Sequence, residues 1–360
     1  MTIVGGLDIH RKQLTFDYAD TETGEVKTGR IAPADRAHLA EWLRGRFAGQ
    51  DEITFAVEAC TGWRYVTEEL AKAGVCVLLA EPADTAAARG RKKRAKTDRA
   101  DARLLRELVA EERVPTCWVP PARLLEDRAL LELYHDLRRE HTAWIQRVHA
   151  VLFHQGAEHL GTGGVSTAEG RARLAQLVAT QLSPAGQVQV TTALRMLEVC
   201  EEQLAAIRRR IDAEARYLRG PRLLAEKIYG VSSVTALALT CWLGGADRFR
   251  SSRQAVRFTG LDVTVHSSDA KRSPGHLSRQ GPPVLRWCLY EAGKTHARKT
   301  APDHAYYAQV QERLDGKRAA LAEARKITRQ ACHLLADLGD DASAPAVPHP
   351  RRPVRQLAAT

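Results

Sequence analysis

Apolar positions recur with a period of two in the first third of the chain and at helical spacing through most of the rest. Alternating or apolar runs at 2–9, 13–19, 25–31, 53–58 and 75–80 predict strands, and segments near 34–48, 62–73 and 98–110 predict helices. Thr23-Gly24 predicts a hairpin turn, and a hairpin-rich start followed by βα units suits a mixed sheet rather than a doubly wound one. The Pro-bearing stretch Val114-Pro115-Thr116-Cys117-Trp118-Val119-Pro120-Pro121 then breaks the pattern. From Ala122 to about Gly156 the residues suit one long helix, with Leu124, Leu131, Leu137, Trp144, Ile145 and Val148 among Arg, Glu and His. After a break at 161–164, helical character returns and runs to about Leu218. There Leu197, Leu204, Ile211 and Leu218 fall seven apart, but Glu201, Arg208 and Ala215 hold the alternate seam positions. That pattern supports a strict coiled coil only weakly, and an antiparallel helical hairpin used for dimerisation, or a plain packing arm, fits as well.

The expected organisation is an α/β mixed-sheet domain over 1–118, a long-helix, coiled-coil-like arm over 119–220 and a mostly helical domain over 221–340. A disordered basic tail follows over 341–360, rich in Pro, Ala and Arg and without periodicity, where Arg351, Arg352 and Arg355 add nonspecific attraction to nucleic acid.

Four carboxylates stand out on these elements. Asp8 lies on or at the end of the first strand, and Glu58 closes the run Ile53-Thr54-Phe55-Ala56-Val57 before Thr61-Gly62 opens a helix. Asp98 and Asp101 are three apart, which places both on one face of a helix whose N-cap is Thr97. Converging carboxylates hold divalent ions that activate an attacking oxygen and stabilise a leaving one, and without a cation they repel one another. A single carboxylate at a strand end is commonplace, and an Asp pair at this spacing is most often a solvated face. The order strand Asp, strand Glu, helix Asp pair is what resembles the ribonuclease-H or RuvC-like nuclease fold.

The formal charge of +11 and a pI near 9.5 point to an anionic partner. A basic run from Arg89 to Lys96, with Arg91, Lys92, Lys93, Arg94 and Lys96, lies immediately before the Asp pair, where it serves as a phosphate clamp; elsewhere it would be a solvated loop. Seven scattered cysteines without a CxxC spacing argue for neither a disulfide framework nor a zinc site. No signal peptide or apolar run of membrane-spanning length is visible, so a cytoplasmic, reducing setting without membrane partners is expected.

Two further segments carry candidate chemistry. Lys227-Ile228-Tyr229-Gly230-Val231-Ser232-Ser233-Val234-Thr235-Ala236 resembles the turn of a helix-hairpin-helix, whose amides face a phosphate, with Ser232 in place of the usual second glycine. Phe258-Thr259-Gly260-Leu261 leads into a loop dense in Ser, Lys, Arg and His, closed by Gly275-His276-Leu277-Ser278-Arg279-Gln280-Gly281 and an apolar helix from Val284. In isolation such a loop is a phosphate-binding surface, because serine is weakly nucleophilic without activation.

Taken in order, GLDIH, VEACTG, KTDRADAR, GVSSVTAL, FTGLD and GHLSRQGPPVLRW resemble the insertion-sequence transposases with an N-terminal DEDD (RuvC-like) domain and a C-terminal serine-bearing domain, the IS-one-ten-like group. The similarity spans about 3–335. It implies DNA recombination guided by a structured RNA from the element's non-coding end, in homo-oligomers, dimers or tetramers. Carried over by position, Asp8, Glu58, Asp98 and Asp101 match the acidic tetrad that holds Mg²⁺, and Ser268, with Ser267 adjacent, matches the nucleophile. Lys271, Arg272 and Arg279 would neutralise the phosphate, and His266 or His276 would shuttle a proton. Two other readings stay open: a RuvC-like metal-dependent nuclease in which water attacks, and a non-catalytic nucleic-acid-binding protein. An actin-like or sugar-kinase fold is disfavoured by the missing Gly-rich phosphate loops and the basic charge.

Overall fold

The computed structural model describes residues 2–89, 97–161, 164–263, 275–346 and, for the backbone, 267–268 and 271–272. Its contacts divide the chain into two units, Met1–Val119 and Pro120–Thr360.

The first unit is a mixed five-stranded sheet. Strands β1 (Ile3–Ile9), β2 (Leu14–Asp20) and β3 (Val26–Ile31) form an antiparallel meander, and β4 (Ile53–Glu58) and β5 (Cys76–Ala80) add in parallel beside β1, giving the order β3-β2-β1-β4-β5. The β2–β3 turn closes where Gly24 N–H donates to the Asp20 carbonyl at 2.9 Å, with Gly24 at φ 73°, a conformation that favours glycine. Both faces of β1 are covered, which explains its nearly continuous apolar run. On one face Leu7, Phe16, Tyr18, Phe55 and Val57 pack against α1 (Arg36–Phe47) and α2 (Trp63–Lys72), with Trp42 and Phe47 completing an aromatic cluster. On the other, Val4, Ala19, Ala56 and Ala80 receive Leu105 and Val109 of α4 (Asp98–Ala110).

Small residues set how closely α4 approaches. A Cβ on Gly6 would lie 2.2 Å from the Ala102 carbonyl oxygen and 2.6 Å from Leu105 Cβ, so only glycine permits this contact. A short helix, α3 (Pro82–Ala88), was not among the expected elements; Glu81 caps it by accepting from Asp84 N–H, and Pro82 stands at its first turn.

The second unit is helical. The long helix α5 (Ala122–His154) runs antiparallel to α7 (Pro184–Tyr217): Arg123 at the start of α5 pairs with Glu214 near the end of α7, and His141 reaches Glu201. The pairing is within one chain, and α6 (Ala168–Gln181) packs Leu174 and Leu177 against both. The helix expected to run unbroken to Leu218 is interrupted between α6 and α7, where Ser183 caps α7 and Pro184 occupies its first turn. Helix α9 (Ser233–Leu243) is buried along its whole length, and α8 (Arg219–Lys227), α11 (Pro283–Lys294) and α13 (Gly316–Leu338) pack near it, with α10 (Ser252–Phe258) and α12 (His304–Arg313) against α13.

The tail departs from expectation at its start. Residues 341–346 are packed rather than disordered: Ala342 is buried, Asp341 pairs with Arg219, and Ala346 N–H donates to the Tyr217 carbonyl at 2.7 Å. Backbone bonds from the end of α7 hold them despite their poor periodicity. Residues 347–360, with Arg351, Arg352 and Arg355, lie outside the described residues.

Candidate metal centre and nucleic-acid interface

In β1, Val4, Gly6 and Asp8 share the face covered by α4. Leu7 is aligned with Val57 in the parallel β1–β4 pair, which sets Asp8 and Glu58 side by side at the carboxyl ends of neighbouring strands. Helix α4 brings the other two acids: Thr97 caps it by accepting from Ala100 N–H at 3.2 Å, and Asp98 and Asp101 lie in its first turn, where exposed amides favour negative charge.

His10 joins the strand acid to the helix acid. Its Nε2 lies 3.0 Å from Asp8 Oδ2 and 3.2 Å from Asp98 Oδ1, and Gln13 Nε2 donates to Asp98 Oδ2 at 3.3 Å. Arg89 holds Asp101 at 2.7 Å. Asp8 is 7% exposed. Burial raises its carboxyl above the ordinary range, His10 draws it back, and Asp101 and then Asp98 add to the rise. Burial, with Glu58 and Asp8 as like-signed neighbours, also raises the Cys60 thiol.

These features fit a divalent cation. One atom each from Asp8, His10 and Asp98 lies within 4.8 Å of the others. A single imidazole nitrogen reaching two carboxylates stands where positive charge is wanted, and carboxylate oxygens suit a hard ion such as Mg²⁺. A fifth acid on the same sheet face, Asp17, is 1% exposed and paired with Arg106 of α4. That bridge pins helix to sheet and leaves Asp17 already neutralised. His10, Gln13 and Asp17 were absent from the sequence expectations, although His10 sits two residues beyond Asp8 along the strand line, a visible signal; Arg89, expected at the head of the basic run, pairs with Asp101. Arg91, Lys92, Lys93, Arg94 and Lys96 lie outside the described residues.

In the second unit, Ser267–Ser268 (β6) and Lys271–Arg272 (β7) form a two-stranded hairpin, with Ser267 opposite Arg272 and Ser268 opposite Lys271. His266 is outside the described residues, and His276 is exposed. The base of the loop is stapled. Ser278 binds the Asp262 carboxylate and donates its N–H to the Asp262 carbonyl at 3.0 Å, while Arg286 reaches the Gly281 carbonyl at 2.8 Å and Arg325 the Leu261 carbonyl at 2.7 Å. Arg279 is exposed at φ 54°, its N–H donating to the Gly260 carbonyl.

The segment read as a hairpin turn joins α8 to α9. Ser232 caps α9 by accepting from Thr235 N–H, and Gly230 at φ 79° packs so closely that a Cβ would meet Thr295 Oγ1 at 2.2 Å. An open groove of about 590 Å³ runs beside it, lined by Lys227, Tyr229, Ser232, Thr295 and Arg298. No described helix is long and apolar enough to cross a membrane.

Comparison with known families agrees with this arrangement. Residues 5–154 match the model of the DEDD transposase domain of the IS110 group, described as Transposase, and residues 223–308 match the model described as Transposase IS116/IS110/IS902 family. No curated protein matches the chain. A DEDD transposase domain implies a divalent metal, commonly Mg²⁺, and both matches imply DNA as the substrate. The chain thus carries, in order along its length, the DEDD and C-terminal domains of an insertion-sequence DNA transposase of the IS110/IS116/IS902 family.

Proposed function

We propose that the protein cuts and rejoins DNA as a serine recombinase whose acidic centre is Asp8, Glu58, Asp98 and Asp101. The observation that carries this reading is the convergence on one sheet face of a buried strand acid and a helix acid bridged by His10. Asp8, Glu58, Asp98 and Asp101 would hold Mg²⁺, which supplies charge stabilisation for phosphate chemistry. His10 bridges Asp8 and Asp98 and keeps them close when no ion is bound. The exposed Arg279, and the basic side chains of Lys271 and Arg272, serve the DNA phosphate.

For the covalent step, Ser268, or its neighbour Ser267, supplies the hydroxyl. Its oxygen bonds to phosphorus, the bond from phosphorus to the leaving sugar oxygen breaks, the serine proton passes to a base, and the leaving oxygen takes up a proton. The phosphoserine ester keeps the bond energy until a strand hydroxyl displaces serine. A guide RNA encoded in the element's own non-coding end and a homo-oligomeric assembly belong to the same reading, as does a division of the second unit into an arm over 119–220 and a domain over 221–340.

Separate Ser267→Ala and Ser268→Ala variants test the nucleophile. One of them should lose strand transfer and the protein–DNA adduct trapped in the wild type; full cleavage by both, with no adduct in the wild type, would favour the water-using nuclease. Alanine at Asp8, Glu58, Asp98 or Asp101 should abolish recombination with folding and DNA binding largely retained. Co-purified RNA of discrete size tests the guide.

A further inference from the structure

A second group of metal-competent side chains lies in the helical unit. His296 sits in the single turn Thr295–Ala297 after α11, Asp303 stands at the start of α12, and Glu323 is in the middle of α13. His296 is 3% exposed and Glu323 0%. His296 Nδ1 and Glu323 Oε2 are 3.6 Å apart, beyond a hydrogen bond. Neither carboxylate oxygen of Glu323 has a hydrogen-bond partner among the described residues, and the ring nitrogens of His296 have none of good geometry, although the Tyr229 backbone stands near the imidazole. A buried polar atom without a partner bears its desolvation cost uncompensated, and four such atoms gathered in one place call for an explanation.

The surroundings narrow the explanation. One ligand atom from each of His296, Asp303 and Glu323 lies within 4.8 Å of the others. Lys326 Nζ reaches Asp303 Oδ2 at 2.8 Å and orients that carboxylate, which has a second oxygen to offer. The edge of the Tyr229 ring packs against the imidazole at 5.3 Å and fixes its plane. A proton shared between His296 and Glu323 would need a shorter separation. Donors about 2.1 Å from a tetrahedral ion lie about 3.4 Å from one another, close to the separation between this nitrogen and oxygen. One imidazole nitrogen with two carboxylates suits Zn²⁺, whereas Mg²⁺ prefers oxygen alone and keeps its waters.

We propose that His296, Asp303 and Glu323 form a structural site for a Zn²⁺-type divalent cation that ties the turn after α11 and the start of α12 to α13. The absence of a cysteine zinc motif in the sequence does not bear on it, because the donors are imidazole and carboxylate. Thr295 and Tyr229, beside and against His296, also line the groove along the hairpin turn. The cation therefore stiffens a wall of that groove and has no part in bond breaking.

The test uses the full-length protein carrying Asp8→Ala and Asp98→Ala, so that binding at the acidic centre cannot supply the signal. After chelation and dialysis against Zn²⁺, this protein should retain a single Zn²⁺ per chain by elemental analysis and melt several degrees higher than in chelator. Adding Glu323→Gln, or separately Asp303→Asn, should remove both the retained Zn²⁺ and the shift in Tm. Asp303 is at the rim of the cluster, so its variant folds even where the Glu323 variant does not. Retention of Zn²⁺ by the Asp303→Asn protein equal to the parent, or no uptake and no shift in the parent, would overturn the proposal.

Discussion

Gly6→Ala tests whether the docking of α4 builds the acidic centre. The added methyl would stand 2.2 Å from the Ala102 carbonyl oxygen, 2.6 Å from Leu105 Cβ and 2.8 Å from Arg106 N. Two of these are backbone atoms that no rotamer change can move aside. Ordinary contact needs about 3.4 Å, so α4 has to retreat from the sheet by about 1 Å. Overpacking of this kind costs about 1–3 kcal/mol. The first turn of α4 carries Asp98 and Asp101, so the gap to Asp8 widens with it, and a 1 Å misplacement of reacting groups lowers a rate by about 10²-fold. The assays are urea unfolding and Mg²⁺-dependent strand cleavage on the same preparation. Gly45→Ala in the last turn of α1 is the control: nothing lies within 4 Å of the added methyl, and replacing a helical glycine should stabilise by up to about 0.5–1 kcal/mol. Wild-type stability together with wild-type cleavage in Gly6→Ala would refute the reasoning.

Arg106→Leu should destabilise by about 3–5 kcal/mol in denaturant melts, because buried Asp17 is left with only Arg103 at 3.9 Å, and adding Asp17→Asn should restore part of the loss. His10→Ala should lower the Tm of the chelated protein more than that of the Mg²⁺-loaded protein, since the imidazole bridges Asp8 and Asp98 when no ion is present; equal losses in both states would count against this. Asp127 is 2% exposed, its Oδ2 lacks a hydrogen-bond partner among the described residues, and burial first, then Glu214, raises its pKa to about 6. The folded state therefore binds the proton more tightly than the unfolded chain, and stability falls as pH rises from about 4 to about 6. Asp127→Asn should gain about 3 kcal/mol over wild type at pH 7.5 but only about half of that at pH 5, measured by urea unfolding at both values.

Apolar patterning placed all five strands: β1, β2 and β4 are buried along nearly their whole length and read as runs, whereas β3 reads as an alternation. The acids were legible as types on elements: a strand Asp, a strand Glu and a capped helix pair. Their convergence was not legible, since it depends on the contact between Gly6 and Ala102, residues far apart in sequence whose packing leaves no periodic mark. His10 was passed over because a lone histidine just past a strand end is commonplace, and its spacing from Asp8 gains meaning only through its distances to Asp8 and Asp98. The break at Ser183-Pro184 was written in the residues as a cap followed by a first-turn proline, yet the helical spacing on either side concealed it. The His296 group was beyond sequence reading, because its members sit on three separate elements and are brought together by helix packing.

The placement of α4 bears on when the enzyme becomes capable of cutting. Asp8 leaves the ribosome before Asp98 and Asp101, which follow every strand of the sheet, so the acidic centre stays unfinished until the chain has been made through α4 and that helix docks. The same helix meets the sheet through Leu105, Val109, the close approach at Gly6 and the Arg106–Asp17 bridge, all on the face opposite the aromatic core, so a change that displaces it leaves that core in place. A mutation on the sheet-facing side of α4 would then silence DNA cleavage while the aromatic core holds, and loss of activity would report the displacement of one helix.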